Sequence, residues 1–394
     1  MFSLRVAWPT GQNQLSRALE RRRKLQAPVL DLTGSNPTEG GLALPVEPLL
    51  AALAGPGSRR YQPDPWGLLS AREAIARWLC RDQRVRIGAD RILLTASTSE
   101  AYAYLFKLLA DPGDSILTPS PSYPLFEYLA GLEGLSLRPY PLLWDGRWHL
   151  DEEAVRLLAA GPRVRAIAAI HPNNPTGSFL SADELDFLSK ICAQHELALI
   201  SDEVFLDYAL LPDAGRAPSA IAQATCLTFA LSGLSKLAGL PQLKLGWIAA
   251  SGPEPLLSQA LSRLDLIADS YLSVSAPVQH AASELLAAAP AFQSHLLQRL
   301  RENVAEAQRA LASPSPATPL PVEGGWSLVL RLPAVKTGEE WAIELLERDG
   351  VLTQPGYFYD FANEAYLVVS LLTPQADFAE GLARLRRAVD RALA

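Results

Sequence analysis

The chain has 394 residues, 49% of them hydrophobic and 20% charged, which suits a folded protein with a sizeable core and excludes disordered or collagen-like chains. A formal net charge of −7 offers no basic footprint for nucleic acid or an anionic membrane surface. Three isolated cysteines without CxxC spacing argue against a disulfide frame or a zinc site, and without a signal peptide or a membrane-length apolar run the expected location is the cytoplasm.

The N-terminal segment holds a helix-like stretch, NQLSRALERRRKLQ, and the run VLDLTGSNPTEGG, expected to pack on a small C-terminal unit or on a partner subunit. Short apolar runs then alternate with segments of helical period. RILLTAS (91–97), SILTPS (115–120), RAIAAIHP (165–172), LALISDEVF (197–205), CLTFALS (226–232) and LGWIAA (245–250) read as buried strands. Between them, SEAYAYLFKLLADPGD (99–114) reads as a helix closed by Pro-Gly, and SADELDFLSKICAQHE (181–196) opens with a capping box from Ser181 to Glu184. Strand then helix, repeated, predicts an α/β fold whose mainly parallel sheet is flanked by helices and binds ligands at the carboxyl ends of its strands.

Beyond about residue 275 the pattern changes. The helical stretch HLLQRLRENVAEAQRALAS (295–313) leads to GGWSLVLRLP, GVLTQPG, EAYLVVSLL and a last helix, FAEGLARLRRAVDRAL, together a smaller α/β unit. The expected division is an N-terminal segment 1–47, a large unit 48–285 and a small C-terminal unit 286–394.

Chemistry-bearing residues fall at the expected strand ends. Ser97, Thr98 and Ser99 stand where a strand becomes a helix, where free backbone N–H groups can cradle an anion and where a plain N-cap cluster is the simpler account. Tyr123, in PSYP, offers a ring face for stacking or for packing. Asn174, in NNPTG, suits a turn. Asp202 ends LALISD, where a carboxylate needs a donor or a cation, with Glu203 beside it as the exposed member. Lys236, in LSGLSKLAGL, ends an apolar run, an unusual place for an amine. An SxxK hydrolase would need its serine at Gly233, and a GxGxxG dinucleotide turn is missing.

In this order, NNPTG, SDEV and SGLSK, with YQPDPWGLLSAREAIA before them and PVEGGW after, resemble the class I/II aminotransferases, fold-type I enzymes dependent on pyridoxal 5′-phosphate. The resemblance implies a large cofactor-binding unit, a small C-terminal unit and a homodimer with shared active sites. It makes Lys236 the Schiff-base nucleophile and proton carrier, Asp202 the partner of the pyridine nitrogen, Asn174 a donor to the cofactor 3-oxygen and Tyr123 the stacking ring. Ser97, Thr98 and Ser99 match the phosphate turn, and Tyr61 matches a tyrosine reaching the phosphate from the neighbouring subunit. The implied activity moves an amino group from an amino acid or amine to a 2-oxo acid. β-Elimination, decarboxylation or cofactor binding without turnover are the alternatives on the same scaffold.

Four positions depart from the family pattern. Lys244 stands for a phosphate-gripping arginine, which keeps charge and loses the bidentate fork. Gly233 stands for a serine that Ser232 or Ser235 can replace. Phe205 stands for a tyrosine that donates to the cofactor 3-oxygen. Val368, in YLVVSLLT, stands for the arginine that clamps a substrate α-carboxylate, with Ser370 following and Ser35 at a usual glycine. Three accounts remain open: another cation, such as Arg331 or Arg5, holds the carboxylate; the substrate lacks it; or the chemistry differs.

Overall fold

Each of the six apolar runs forms a strand of one sheet. In the computed structural model, which describes residues 1–9, 11–42, 46–81, 85–361 and 365–394, these are β2 (Ile92–Thr95), β3 (Ser115–Ser120), β6 (Val164–Ile170), β7 (Ala198–Asp202), β8 (Thr228–Gly233) and β9 (Gly246–Ser251). A hairpin, β4 (Ser136–Trp144) and β5 (Trp148–Leu150), extends the sheet to eight strands in the order β2-β9-β8-β7-β6-β3-β4-β5. β8, β7, β6, β3 and β4 run parallel, whereas β9 is antiparallel to both neighbours and β5 is antiparallel at the edge. β7, β8 and β9 are buried along their whole length, as strands covered on both faces must be.

Helices cover the two faces. One cluster packs the helices Thr98–Leu109 and Glu254–Tyr271 through Leu105, Leu257 and Leu264 onto Ile116, Ile200 and Phe229. On the other face lie Ala71 and Ile75 of the helix Leu69–Leu79 and Leu285 and Leu286 of the helix Ala282–Ala310. The helix Ala182–Gln194 starts with the expected capping box, Ser181 Oγ accepting from Glu184 N while Glu184 Oε2 accepts from Ser181 N. The helix expected over 99–114 ends at Leu109, because the Asp-Pro-Gly that follows cannot continue it.

A smaller antiparallel sheet joins β10 (Thr318–Pro319), β11 (Ser327–Arg331), β14 (Tyr366–Ser370) and β13 (Gln354–Pro355), in that spatial order. From Gln14 to Asp31 the N-terminal segment packs on this unit, whereas Arg5 and Trp8 lie against Leu132 and Tyr128 of the large one. β1 (Leu30–Asp31) pairs in parallel with β12 (Val351–Leu352), and Arg22 donates to Glu347 O at 3.0 Å and Pro28 O at 2.8 Å. The helix Ala282–Ala310 serves both cores: Leu285, Leu286 and Ala289 pack against the large sheet, Phe292, Leu296 and Leu300 against the C-terminal unit. Among the described residues no helix is long and apolar enough to cross a membrane.

Candidate active site

The carboxyl edge of the large sheet brings most of the sequence-selected residues to one cavity of about 370 Å³. Asp202 arrives first, as the last residue of β7. Its side chain is buried and accepts from Tyr102 O–H at 3.1 Å and from the Val204 N–H at 3.2 Å. Burial pushes its carboxyl up from 3.8 to about 6, and those two hydrogen bonds pull the other way. Tyr102 is itself held well above its ordinary range, chiefly by burial and then by the charge of Asp202.

Lys236 follows β8 on the short helix Leu234–Leu237. The strand reaches it through Gly233, where a Cβ would come within 2.8 Å of Leu245 O and 2.9 Å of Gly246 Cα, so a serine at 233 has no room in this chain. The ammonium Nζ donates to Ser35 O at 3.4 Å and stands 4.9 Å from the ring centre of Trp326 and 5.8 Å from that of Phe205. Desolvation among these groups lowers its pKa from 10.5 to about 8. The amine at the end of an apolar run is therefore a base available near neutral pH.

The third component is the start of the helix Thr98–Leu109. Ser97 Oγ accepts from Glu100 N at 3.2 Å, so this hydroxyl is a cap, while Glu100 Oε2 accepts from Ala96 N at 2.6 Å. Thr98 and Ser99 line the cavity where first-turn amides have no acceptor inside the helix, a setting that favours an anion.

Tyr123, Asn174, Phe205 and Ser235 complete the wall from the large sheet. The facing wall comes from elsewhere: Thr33 and Ser35 from the N-terminal segment, and Trp326, Ser327, Gln354, Tyr359, Val368 and Ser370 from the C-terminal unit. Three selected residues lie away from the lining. Ser232 is buried in β8 opposite Trp247, Lys244 is exposed in a left-handed conformation, and Tyr61 is 75% exposed on the surface. Neither candidate carboxylate anchor reaches the cavity. Arg331 is exposed at the end of β11, and Arg5 donates to Leu132 O at 3.0 Å. Glu203, expected to be exposed, is buried and accepts from Ser201 O–H at 3.0 Å and Ala220 N at 2.7 Å, because β7 is covered on both faces. Burial raises its pKa to about 7. Sequence reasoning missed Tyr102, Gln354 and Tyr359; the first carries no motif, Gln354 sits in GVLTQPG, a stretch read only as part of the small C-terminal unit, and Tyr359 lies just beyond it.

A carboxylate held by neutral donors, a desolvated amine and a helix start on one cavity suit a ligand with a cationic ring nitrogen, an aldehyde and an anionic tail. This is the constitution of a transferase that works through a covalently held aldehyde cofactor. The profile described as aminotransferase class I and II matches residues 28–385, and the chain belongs to that family, whose members depend on pyridoxal phosphate; it is an aminotransferase. A glutamate-pyruvate aminotransferase, AlaA, of Haemophilus influenzae is 26% identical over 91% of this chain and 90% of its own length. The alanine aminotransferase of Mycobacterium tuberculosis is 29% identical over 70% of this chain and 69% of its own. Among solved structures, an alanine aminotransferase from Pyrococcus furiosus superposes with a TM-score of 0.89 at 24% identity, covering 99% of this chain and 100% of that one.

Proposed function

We propose that Lys236 is the amine that holds the pyridoxal phosphate aldehyde, and that the enzyme moves an amino group from an amino acid or amine to a 2-oxo acid. One observation carries this reading: a lysine lowered to about 8 and a buried carboxylate line the same cavity at the carboxyl edge of the sheet. The cofactor, when bound, supplies an aldehyde that condenses with amines and a ring that accepts the electron pair left by a departing Cα proton. Asp202, charged above about pH 6, would pair with the ring nitrogen and keep it protonated. Asn174 would donate to the ring oxygen, Tyr123 would stack on the ring, and the turn at Ser97, Thr98 and Ser99 would hold the phosphate. Lys236 Nζ, once displaced by the substrate amine, is uncharged often enough near neutral pH to take the Cα proton and return it on the far side of the transfer.

In the same reading residues 48–285 form the cofactor-binding unit, 286–394 the small unit and 1–47 a segment tied to it. Tyr61 serves the phosphate from the neighbouring subunit of a homodimer, and Lys244 serves it in place of an arginine. The test is chemical: borohydride reduction of the loaded protein should fix the cofactor on Lys236, read by peptide mass. Lys236→Ala should lower turnover by about 10⁴-fold or more. A label on another side chain removes the reading, and ammonia released in place of an amino group retained on the cofactor makes the enzyme a lyase.

A further inference from the structure

Among the described residues the cavity is charged in two places, Lys236 and Asp202, and the proposed reaction occupies both. The wall from the C-terminal unit is neutral. On it, Ser327 O–H donates to Asn174 Oδ1 at 3.3 Å and Ser370 O–H donates to Gly34 O at 2.5 Å, so both hydroxyl hydrogens are committed within the chain. Gln354 differs. It stands on β13 opposite Val368 of β14, and its Oε1 accepts from Tyr359 O–H, which orients the amide and leaves Nε2 as an uncommitted donor.

A carboxylate brought against Gln354 and Val368 would shed water without meeting a cation on that wall among the described residues of its own chain, a loss that one neutral hydrogen bond does not return. The neighbouring surface is unfavourable to an anion as well. The open groove that shares Tyr123 and Pro124 with the cavity carries Glu127 and Asp360 and, among its described residues, no lysine or arginine. Such a field attracts an ammonium group and repels an anion.

We propose that Gln354 selects the amino donor: the site takes a primary amine whose second polar group is neutral, a hydroxyl or amide accepting from Gln354 Nε2, and disfavours the matching amino carboxylate. The proposal rests on the aminotransferase reading of Lys236. The donor amine would displace the Lys236 amine, and one water is taken up as the donor leaves as the corresponding aldehyde or ketone; its nitrogen stays on the cofactor, which is reduced as the donor is oxidised, so no outside oxidant enters. A 2-oxo acid acceptor meets the same wall, which makes its half-reaction the slower one.

Matched pairs that differ only at the second group decide the matter. With enzyme loaded with pyridoxal phosphate, single-turnover decay of the cofactor absorption band should be at least about tenfold more efficient with L-leucinol than with L-leucine. Calorimetry with unreactive analogues should show 4-methylpentanamide binding about tenfold tighter than 4-methylpentanoate. Gln354→Leu should lower the ratio of leucinol efficiency to leucine efficiency about tenfold, and Val368→Arg should reverse the order of both pairs. Leucine reacting as well as leucinol, or the carboxylate binding as tightly as the amide, overturns the proposal and leaves the aminotransferase reading intact. Loaded enzyme that converts neither member of any pair, or a cofactor not fixed on Lys236, removes that reading and the proposal together.

Discussion

A carboxyl group moved by burial from 3.8 to about 6 carries its charge at neutral pH at a cost of about 3 kcal/mol. The sign follows from proton binding: folded Asp202 holds its proton more tightly than the unfolded chain does, so the cofactor-free protein loses stability as pH rises from about 4 to 6. Asp202→Asn should therefore raise the melting temperature of the cofactor-free chain at pH 7 by the equivalent of up to about 3 kcal/mol, with the gain vanishing below about pH 4. The same variant should bind pyridoxal phosphate more weakly; unchanged stability across that range would show that the carboxyl is not desolvated. Lys236, Asp202 and Asn174 were legible in the sequence because each ends or follows an apolar strand, where a polar residue needs a reason. Tyr102 was not. It lies in the run EAYAYLF beside Tyr104, and only the packing of the helix decides which hydroxyl reaches Asp202. Gln354 was hidden by pairing: its place beside Val368, 14 residues further on, is set by an antiparallel register that its own short segment does not announce.

Strands with continuous apolar runs announced themselves, and the partly buried β4 did not. β6, β7, β8 and β9 are near-continuous apolar runs, whereas β4 carries Pro139 and Pro141 and is only partly buried, so its sequence lacks both the alternation and the continuity of a strand. The link between the C-terminal helix system and the cavity wall was equally silent. Asn303, fully buried in the helix Ala282–Ala310, donates to Leu371 O at 2.9 Å and Thr373 O at 2.8 Å, clamping the chain just past β14. Asn303→Ala leaves both carbonyls without this donor and should cost about 2–4 kcal/mol, measured as a shift in the urea midpoint at unchanged slope. Because β14 carries Val368 and Ser370, the variant should also weaken substrate capture more than it weakens cofactor binding.

At the scale of the whole molecule, the proposed homodimer makes a testable claim about shared sites. With Tyr61 exposed and absent from the lining of its own cavity, a mixture of Lys236→Ala and Tyr61→Ala chains should regain activity that neither has alone, because one site of each hybrid dimer holds an intact lysine and an intact tyrosine. Random exchange should restore about a quarter of the normal sites; no recovery on mixing would confine each site to one chain. Within a chain, the walls of the cavity are joined by the helix Ala282–Ala310, about 44 Å long at 1.5 Å per residue. Pro290 sits between Ala289, packed on the large sheet, and Phe292, packed on the C-terminal unit. Lacking an N–H, it omits one rung of the ladder at the crossing from one core to the other. The rod is therefore softest at its joint, so a substrate drawing the two walls together would flex it about that proline while each half keeps its own packing undisturbed.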